Sequence, residues 1–165
     1  SSQGLLGFVD SYRSLTRVAA PIRKSFMVSE LVERVFQLAA PYTEPAGVQT
    51  IFIEKTPDVL LWADENQISQ ILVNLVKNAV QAGATLVEIS VSLDYLENTI
   101  IEVSNNGTPI SRESQEEIFI PFYTTKQDGT GIGLSLSRQI MRLHGGSLTL
   151  SRSDSTATVF VLKFK

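Results

Sequence analysis

The sequence predicts an α+β fold, a two-layer α/β sandwich in which helices cover one face of a mixed, mostly antiparallel sheet. Helical and strand-like segments intermingle along the 165 residues. Consecutive strand-like segments at 85–96 and 99–107 are joined by a short turn at Glu97-Asn98, which is typical of a hairpin. With 43% hydrophobic and 19% charged residues, the chain can bury one sizeable core.

Helical periodicity and end signals place the helices. Asp64 precedes the most regular apolar repeat as a candidate N-cap, and Gly83 follows it as a stop. Ser29 is the candidate cap of an earlier helix, which Pro41 brings towards its end. The helices are predicted at residues 5–18, 29–42, 65–82 and 134–144.

Alternating apolar and polar residues place the strands. Trp62 falls in one of them, and an aromatic residue there is expected to pack in the core or at a sheet edge. The strands are predicted at residues 48–55, 58–64, 85–96, 99–107, 146–153 and 156–165.

Composition excludes several classes of function. A net charge of −3 argues against a general nucleic-acid-binding protein, which usually carries a basic patch. The chain has no cysteine, which excludes disulfides and thiolate metal sites. No apolar run approaches the roughly 20 residues that cross a bilayer.

Three polar segments indicate chemistry. Gly129, Gly131 and Gly133 precede a helix, where bare backbone could approach a phosphate at the helix N-terminus; alone, this is also an ordinary loop. Asn74 and Asn78 lie four residues apart on one helical face, either bonded to a neighbouring strand or lining a ligand site that includes a cation. "NNGTPI", residues 105–110, is either a turn or the edge of a purine site.

Together these segments resemble the catalytic, ATP-binding domain of bacterial sensor histidine kinases, which shares a superfamily with gyrase and the heat-shock chaperone ATPase. "NLVKNAVQA" resembles the N box of that family, "NNGTPI" its first glycine box and "IFIPFYTTK" its F box. "GTGIGLSLSRQIMRLHGGSL" is similar to the second glycine box and its helix. The order and spacing match from about residue 28 onwards, and the chain looks closest to the nitrogen-regulation type. A Bergerat-type ATP-binding fold is implied.

The resemblance implies ATP and Mg²⁺ as cofactors and assigns roles by position. Asn78 would coordinate Mg²⁺, and the catalytic residues would be Asn74, beside the phosphates, and Lys77, which would neutralise their charge. Asn105 would contact adenine with help from Thr158, and residues 108–130 would form a lid anchored by Phe119 and Phe122. The implied nucleotide-binding residues are Asn74, Asn78, Asn105, Gly107, Phe122, Thr124, Lys126, Gly129, Thr130, Gly131, Gly133, Leu134 and Thr158.

Two residues depart from the family pattern. Asn105 stands where an aspartate is usual, and an amide is a weaker acceptor than a carboxylate, so looser adenine binding is expected. Pro109 stands where a second glycine is common and should stiffen the start of the lid. These departures are the only support for an alternative function, a degenerate nucleotide-sensing or scaffold module.

A second alternative is a conformational ATPase, but the catalytic glutamate of gyrase-like relatives is replaced here by Asn74, which takes no proton at neutral pH. This favours a protein-histidine kinase that transfers the γ-phosphate to a supplied histidine. The one histidine, His144, is expected to interact with the end of its helix instead. Arg138 and Arg142 are expected on a solvated helix face.

The resemblance also divides the chain and names its partners. Residues 1–22 would be the end of a dimerisation and phosphoacceptor helix, and residues 23–165 the catalytic domain. The partners would be the phosphoacceptor histidine domain of the same protein and a response regulator, with a homodimeric full-length protein and no nucleic acid. The domain would be cytoplasmic, either free or as the cytosolic part of a membrane-bound sensor.

Overall fold

The computed structural model describes residues 18–121 and 133–165 and confirms the α+β class. The strands are β1 Lys24–Met27, β2 Gln49–Glu54, β3 Leu60–Ala63, β4 Leu86–Leu93, β5 Thr99–Asn105, β6 Ser147–Ser153 and β7 Thr158–Phe164. The helices are α1 Val28–Thr43, α2 Glu65–Gln81, α3 Arg112–Gln115 and α4 Gly133–Leu143. The strand β1 and the short helix α3 were not predicted from sequence. The predicted helix at 5–18 lies, except for Val18, outside the described residues.

Five strands form the main sheet in the order β2-β4-β5-β7-β6. The strand β2 runs parallel to β4, and the other neighbours are antiparallel, as the predicted mixed sheet requires. The strands β1 and β3 pair antiparallel in a separate two-stranded sheet. The two strands predicted around Thr56-Pro57 therefore both exist but belong to different sheets.

Two helix ends follow the predicted signals and one does not. Asp64 caps α2, because its Oδ1 accepts a hydrogen bond from the Gln67 N–H at 3.1 Å, and Gly83 follows the helix with a φ of +77°. The prediction that Ser29 caps α1 is wrong, since Met27 occupies the cap position without a side-chain cap. The Val28 N–H instead donates to the backbone oxygen of Val59 at 3.0 Å, so strand pairing replaces the cap.

The core lies between the main sheet and the helices α1, α2 and α4. Alternate residues of β5 and β7 face it, including Ile101, Val103, Phe160 and Leu162. Trp62 departs from expectation, because it lies 61% exposed on the outward side of β3. The two-stranded sheet has only one covered face, and Leu61 and Ala63 occupy it. Within the described residues, no helix is long and apolar enough to cross a membrane.

The start of α2 and the end of α4 meet at a hydrogen-bonded junction. The Asp64 N–H donates to His144 Nε2 at 3.1 Å, and His144 Nδ1 lies 2.9 Å from the backbone oxygen of Ile140. Because Nε2 accepts, Nδ1 carries the proton and donates to the helix carbonyl. The prediction that His144 interacts with its own helix end is confirmed, and the contact with α2 is an addition.

The segment before β1 is held at the same junction. The Ile22 N–H donates to Asp64 Oδ2 at 2.9 Å, and Arg23 Nη2 donates to the Leu143 oxygen at 3.0 Å. Three parts of the chain are therefore tied together where α2 begins.

We expect His144→Ala to lower the free energy of unfolding by about 2 kcal/mol, because the Asp64 N–H loses its buried acceptor and the Ile140 carbonyl keeps only the backbone N–H of residue 144. Urea denaturation measures the change. The control is Arg142→Ala, an exposed neighbour on α4, which should stay within about 0.5 kcal/mol of the unmodified chain. Equal losses in the two variants would contradict a structural role for His144.

Acid should remove a contribution of Asp64 to stability. Burial raises the pKa of this carboxyl, but hydrogen bonds from the N–H groups of Ile22, Gln67 and Asn66 bring it below its usual value. A pKa lowered by folding stabilises the fold above the unfolded value, about 3.9, and that stability disappears as the pH falls through the folded value.

Asp64→Asn, which no longer titrates, should therefore be less stable than the unmodified chain at pH 7, and the difference should shrink below about pH 4. Urea unfolding measured across this pH range tests the expectation. Glu33→Gln, an exposed change on α1, controls for the loss of one negative charge. A difference that stays constant down to pH 2 would contradict the assignment.

Candidate functional site

One face of α2 carries the polar line around which the site is built. Asn74 and Asn78 lie four residues apart on this face, and the backbone of Ala82, the C-cap residue of α2, continues the line one turn further. At 1.5 Å per residue, they span about 12 Å along the helix axis. Glycine backbone from two other parts of the chain approaches the two ends of this line.

At one end, Gly133 lies against Asn74. A Cβ on Gly133 would be 2.6 Å from Asn74 Oδ1 and 2.8 Å from its Nδ2, so a larger residue at this position would displace the Asn74 side chain. Gly133 is the first residue of α4, and a helix start carries unpaired N–H groups and partial positive charge. The next residue, Leu134, is half-buried against the core and holds this helix start in place.

Asn74 Nδ2 is fully enclosed and has no hydrogen-bond partner within the described residues. An unpaired buried donor costs on the order of 1–3 kcal/mol, so its presence calls for an acceptor that the described chain does not supply. An anion beside Gly133 would be such an acceptor.

At the other end of the line, the segment after β5 lies against Ala82. The Thr108 N–H donates to the Ala82 oxygen at 2.8 Å, and a Cβ on Gly107 would come within 2.8 Å of the same oxygen. Glycine is therefore required here by a close backbone approach, whereas at Gly133 the close contact is with the Asn74 side chain. Sequence reasoning missed Ala82, because it takes part through its backbone.

An amide and a hydroxyl lie side by side next to this end. Asn105 closes β5 and is the register partner of Thr158, the first residue of β7. Both are buried, with exposures of 8% and 3%. Asn105 Oδ1 accepts from the Gly107 N–H at 2.9 Å, and Thr158 Oγ1 lies 2.6 Å from Ser153 Oγ. The structure therefore brings the predicted pair together, with Ser153 as a partner that the sequence did not reveal.

Phe119 lies between the sheet and α4. Its ring packs edge-on against Phe160, with centroids 6.5 Å apart, and the Arg138 guanidinium lies 3.8 Å from its centre. The prediction that Arg138 belongs to a solvated face is wrong, because its Nε also donates to the Leu148 oxygen at 3.3 Å. Burial, with the charge of nearby Arg142, lowers the pKa of Arg138.

Lys77 points its ammonium group towards α1, where it lies 4.7 Å from the centre of the Tyr42 ring. Its role beside phosphates stays a prediction. Six other predicted contacts lie outside the described residues: Phe122, Thr124, Lys126, Gly129, Thr130 and Gly131.

The described residues contain no group of three or more His, Cys, Asp or Glu that could hold a metal. The oxygen donors on the polar line are amides, Asn74 and Asn78. Mg²⁺ commonly takes one or two protein oxygens and shares the phosphates of a substrate, so this donor set suits an ion that arrives with a nucleotide.

Comparison with protein families identifies residues 63–165 with the family described as histidine kinase-, DNA gyrase B-, and HSP90-like ATPase. The sensor protein DegM of Bacillus sp. (strain B21-2) is 28% identical over 92% of this chain and 40% of its own length. The nitrogen regulation protein NtrY of Azorhizobium caulinodans is 30% identical over 87% of this chain and 19% of its own length.

Solved structures show the same likeness. The nucleotide-free catalytic domain of histidine kinase ThkA is 33% identical, with a TM-score of 0.75 over 86% of this chain and 94% of that domain. ThkA in complex with the response regulator protein TrrA matches 98% of this chain and 47% of the solved chain, with 28% identity and a TM-score of 0.78.

The chain spans two fifths or less of the curated relatives named above, but nearly all of the ThkA catalytic domain. The family match covers every described element from α2 onwards, including both glycine contacts and the Asn105–Thr158 pair. The chain therefore belongs to the histidine kinase-, DNA gyrase B- and HSP90-like ATPase family, and within it resembles the catalytic domain of a histidine kinase.

Proposed function

We propose that this domain binds Mg-ATP along the polar line of α2 and presents the γ-phosphate to a histidine on an adjoining domain. The observation that carries the proposal is a pair of close glycine contacts at the two ends of the polar line, Gly133 with Asn74 and Gly107 with Ala82. The polar line connects the start of α4, which is suited to bind anions, with the Asn105–Thr158 pair, which is suited to bind a nucleotide base.

The base end consists of Asn105 and Thr158. Both side chains are buried and held, one by the Gly107 N–H and the other by Ser153, so their polar atoms are oriented before a ligand arrives. Pre-oriented groups lower the entropic cost of binding.

The phosphate end consists of Asn74, Asn78 and the first turn of α4. Asn74 Nδ2, which has no acceptor among the described residues, would donate to a phosphate oxygen, and the α4 N-terminus adds partial positive charge. Asn78 offers its amide oxygen to the Mg²⁺ that accompanies the nucleotide.

ATP supplies the transferable phosphoryl group, and the residues around it position and stabilise charge. The polar line itself contains no carboxylate, since the residue one turn before Asn78 is Asn74. An amide cannot accept the proton of an attacking water, so transfer to a supplied nucleophile is favoured over hydrolysis. His144 is not that nucleophile in this proposal, because both of its ring nitrogens are occupied.

The partners follow from the relatives. The ThkA complex with a response regulator supports a response regulator as the final phosphate acceptor. We assign residues 23–165 to the catalytic domain and residues 1–22 to the end of a phosphoacceptor helix in a homodimeric, cytoplasmic kinase portion.

Asn78→Ala should weaken magnesium-dependent binding of a non-hydrolysable ATP analogue at least tenfold, because an oxygen ligand is lost. Isothermal titration with and without Mg²⁺ measures the loss, and urea unfolding verifies the fold. Gln70→Ala, an exposed amide on the same helix, is the matched control and should bind normally.

Two results would contradict this account. Unchanged binding by Asn78→Ala would remove the residue from the nucleotide site. Sustained phosphate release by the isolated chain, lost in Asn78→Ala, would mean that the site activates water and would favour a conformational ATPase.

Gly133→Ala should lower the free energy of unfolding by about 1–3 kcal/mol, because the added methyl meets Asn74. In an Asn74→Ala background the same change should cost much less, since the colliding atoms are absent. Urea unfolding of the unmodified chain, the two single variants and the double variant measures the coupling free energy between the two positions. Equal costs in both backgrounds would show that the contact between α4 and Asn74 does not form.

A further inference from the structure

The amide of Asn105 has a defined orientation. Its Oδ1 accepts the Gly107 N–H, and a backbone N–H can only donate, so the oxygen faces the chain and Nδ2 faces the other way. Nδ2 donates to no group in the described part of the chain, although the residue is only 8% exposed. Unlike Asn74 Nδ2, it is not fully enclosed. Asn105 thus directs an unpaired donor into the base end of the site.

At position 105 the family pattern has an aspartate, which accepts hydrogen bonds from the base, whereas Asn105 presents a hydrogen-bond donor. An aspartate there can only accept, which suits the 6-amino group of adenine and opposes the 6-oxo group of hypoxanthine or guanine. The Nδ2 amide can donate to a 6-oxo oxygen, and it can also donate to the ring nitrogen N1 of adenine. The neighbouring Thr158 hydroxyl donates or accepts and does not discriminate between these bases. The selectivity therefore depends on Asn105.

We infer that Asn105 is a specificity-determining residue that admits 6-oxopurine nucleotides alongside adenine nucleotides. The inference rests on the proposed nucleotide site and adds a substrate class to it. A binding site discriminates against a base that leaves one of its buried polar groups without a hydrogen bond. The group in question here is a donor, Asn105 Nδ2, so a base with an acceptor opposite it is favoured.

The test compares ADP with IDP, the inosine diphosphate, by isothermal titration in Mg²⁺ with the intact 165-residue chain. The two nucleotides differ only at positions 1 and 6 of the base, and neither carries a γ-phosphate to transfer. The unmodified chain should bind them with dissociation constants within about threefold of each other.

Asn105→Asp keeps the oxygen that accepts the Gly107 N–H and replaces the donor with a second acceptor. It should shift the ratio of the two dissociation constants at least tenfold in favour of ADP, since charge-assisted hydrogen bonds are roughly twice as strong. Asn66→Asp, an exposed change in the first turn of α2, controls for one added negative charge and should leave the ratio unchanged.

A preference of the unmodified chain for ADP of tenfold or more would overturn the inference, and this comparison needs no variant. A ratio that Asn105→Asp leaves unchanged, in a variant that folds normally, would also overturn it while the nucleotide site stands. If neither nucleotide binds at millimolar concentration, the proposed function fails together with the inference.

Discussion

The burial of one apolar face of α2 is the interaction on which the rest of the structure depends. Ile68, Ile71, Leu72, Leu75 and Val76 are almost fully removed from water. Each such side chain contributes about 1.5–3 kcal/mol relative to exposure, which sets the rotation of the helix about its axis. Asn74 and Asn78 then lie half-buried at the edge of the buried face.

The helix α4 is oriented by contacts at both of its ends. At its start Gly133 meets Asn74, and at its end His144 bonds to the cap residue of α2. Eleven residues separate these contacts by about 16 Å, so α2 and α4 are joined twice, once at the site and once at the segment before β1. The region around Asn74 and Gly133, where we propose that the phosphates bind, is therefore built on two helices packed against each other.

The sequence predicted those features that local chemistry determines. Asp64 as a cap, Gly83 as a stop and the hairpin of β4 and β5 each follow from a few neighbouring residues. Ser29 failed as a cap because the Val28 N–H finds its acceptor in Val59, thirty-one residues away. The predictions for Trp62 and Arg138 were wrong for the same kind of reason, because both depend on tertiary contacts. The exposure of Trp62 follows from the pairing of β1 with β3, and the burial of Arg138 follows from the position of Phe119.

In the candidate site, too, the sequence predicted what local chemistry determines and missed what tertiary contacts determine. Residue types and motif spacing indicated Asn74, Asn105, Gly133 and Thr158, but not what each polar atom faces. The close approach of Gly107 to Ala82 brings its N–H to Asn105 Oδ1, and that single hydrogen bond turns the amide so that it presents a donor. By sequence alone, asparagine in place of aspartate at position 105 suggests only a weaker acceptor. With the amide held in this orientation, we infer that it changes which purine bases the site can bind.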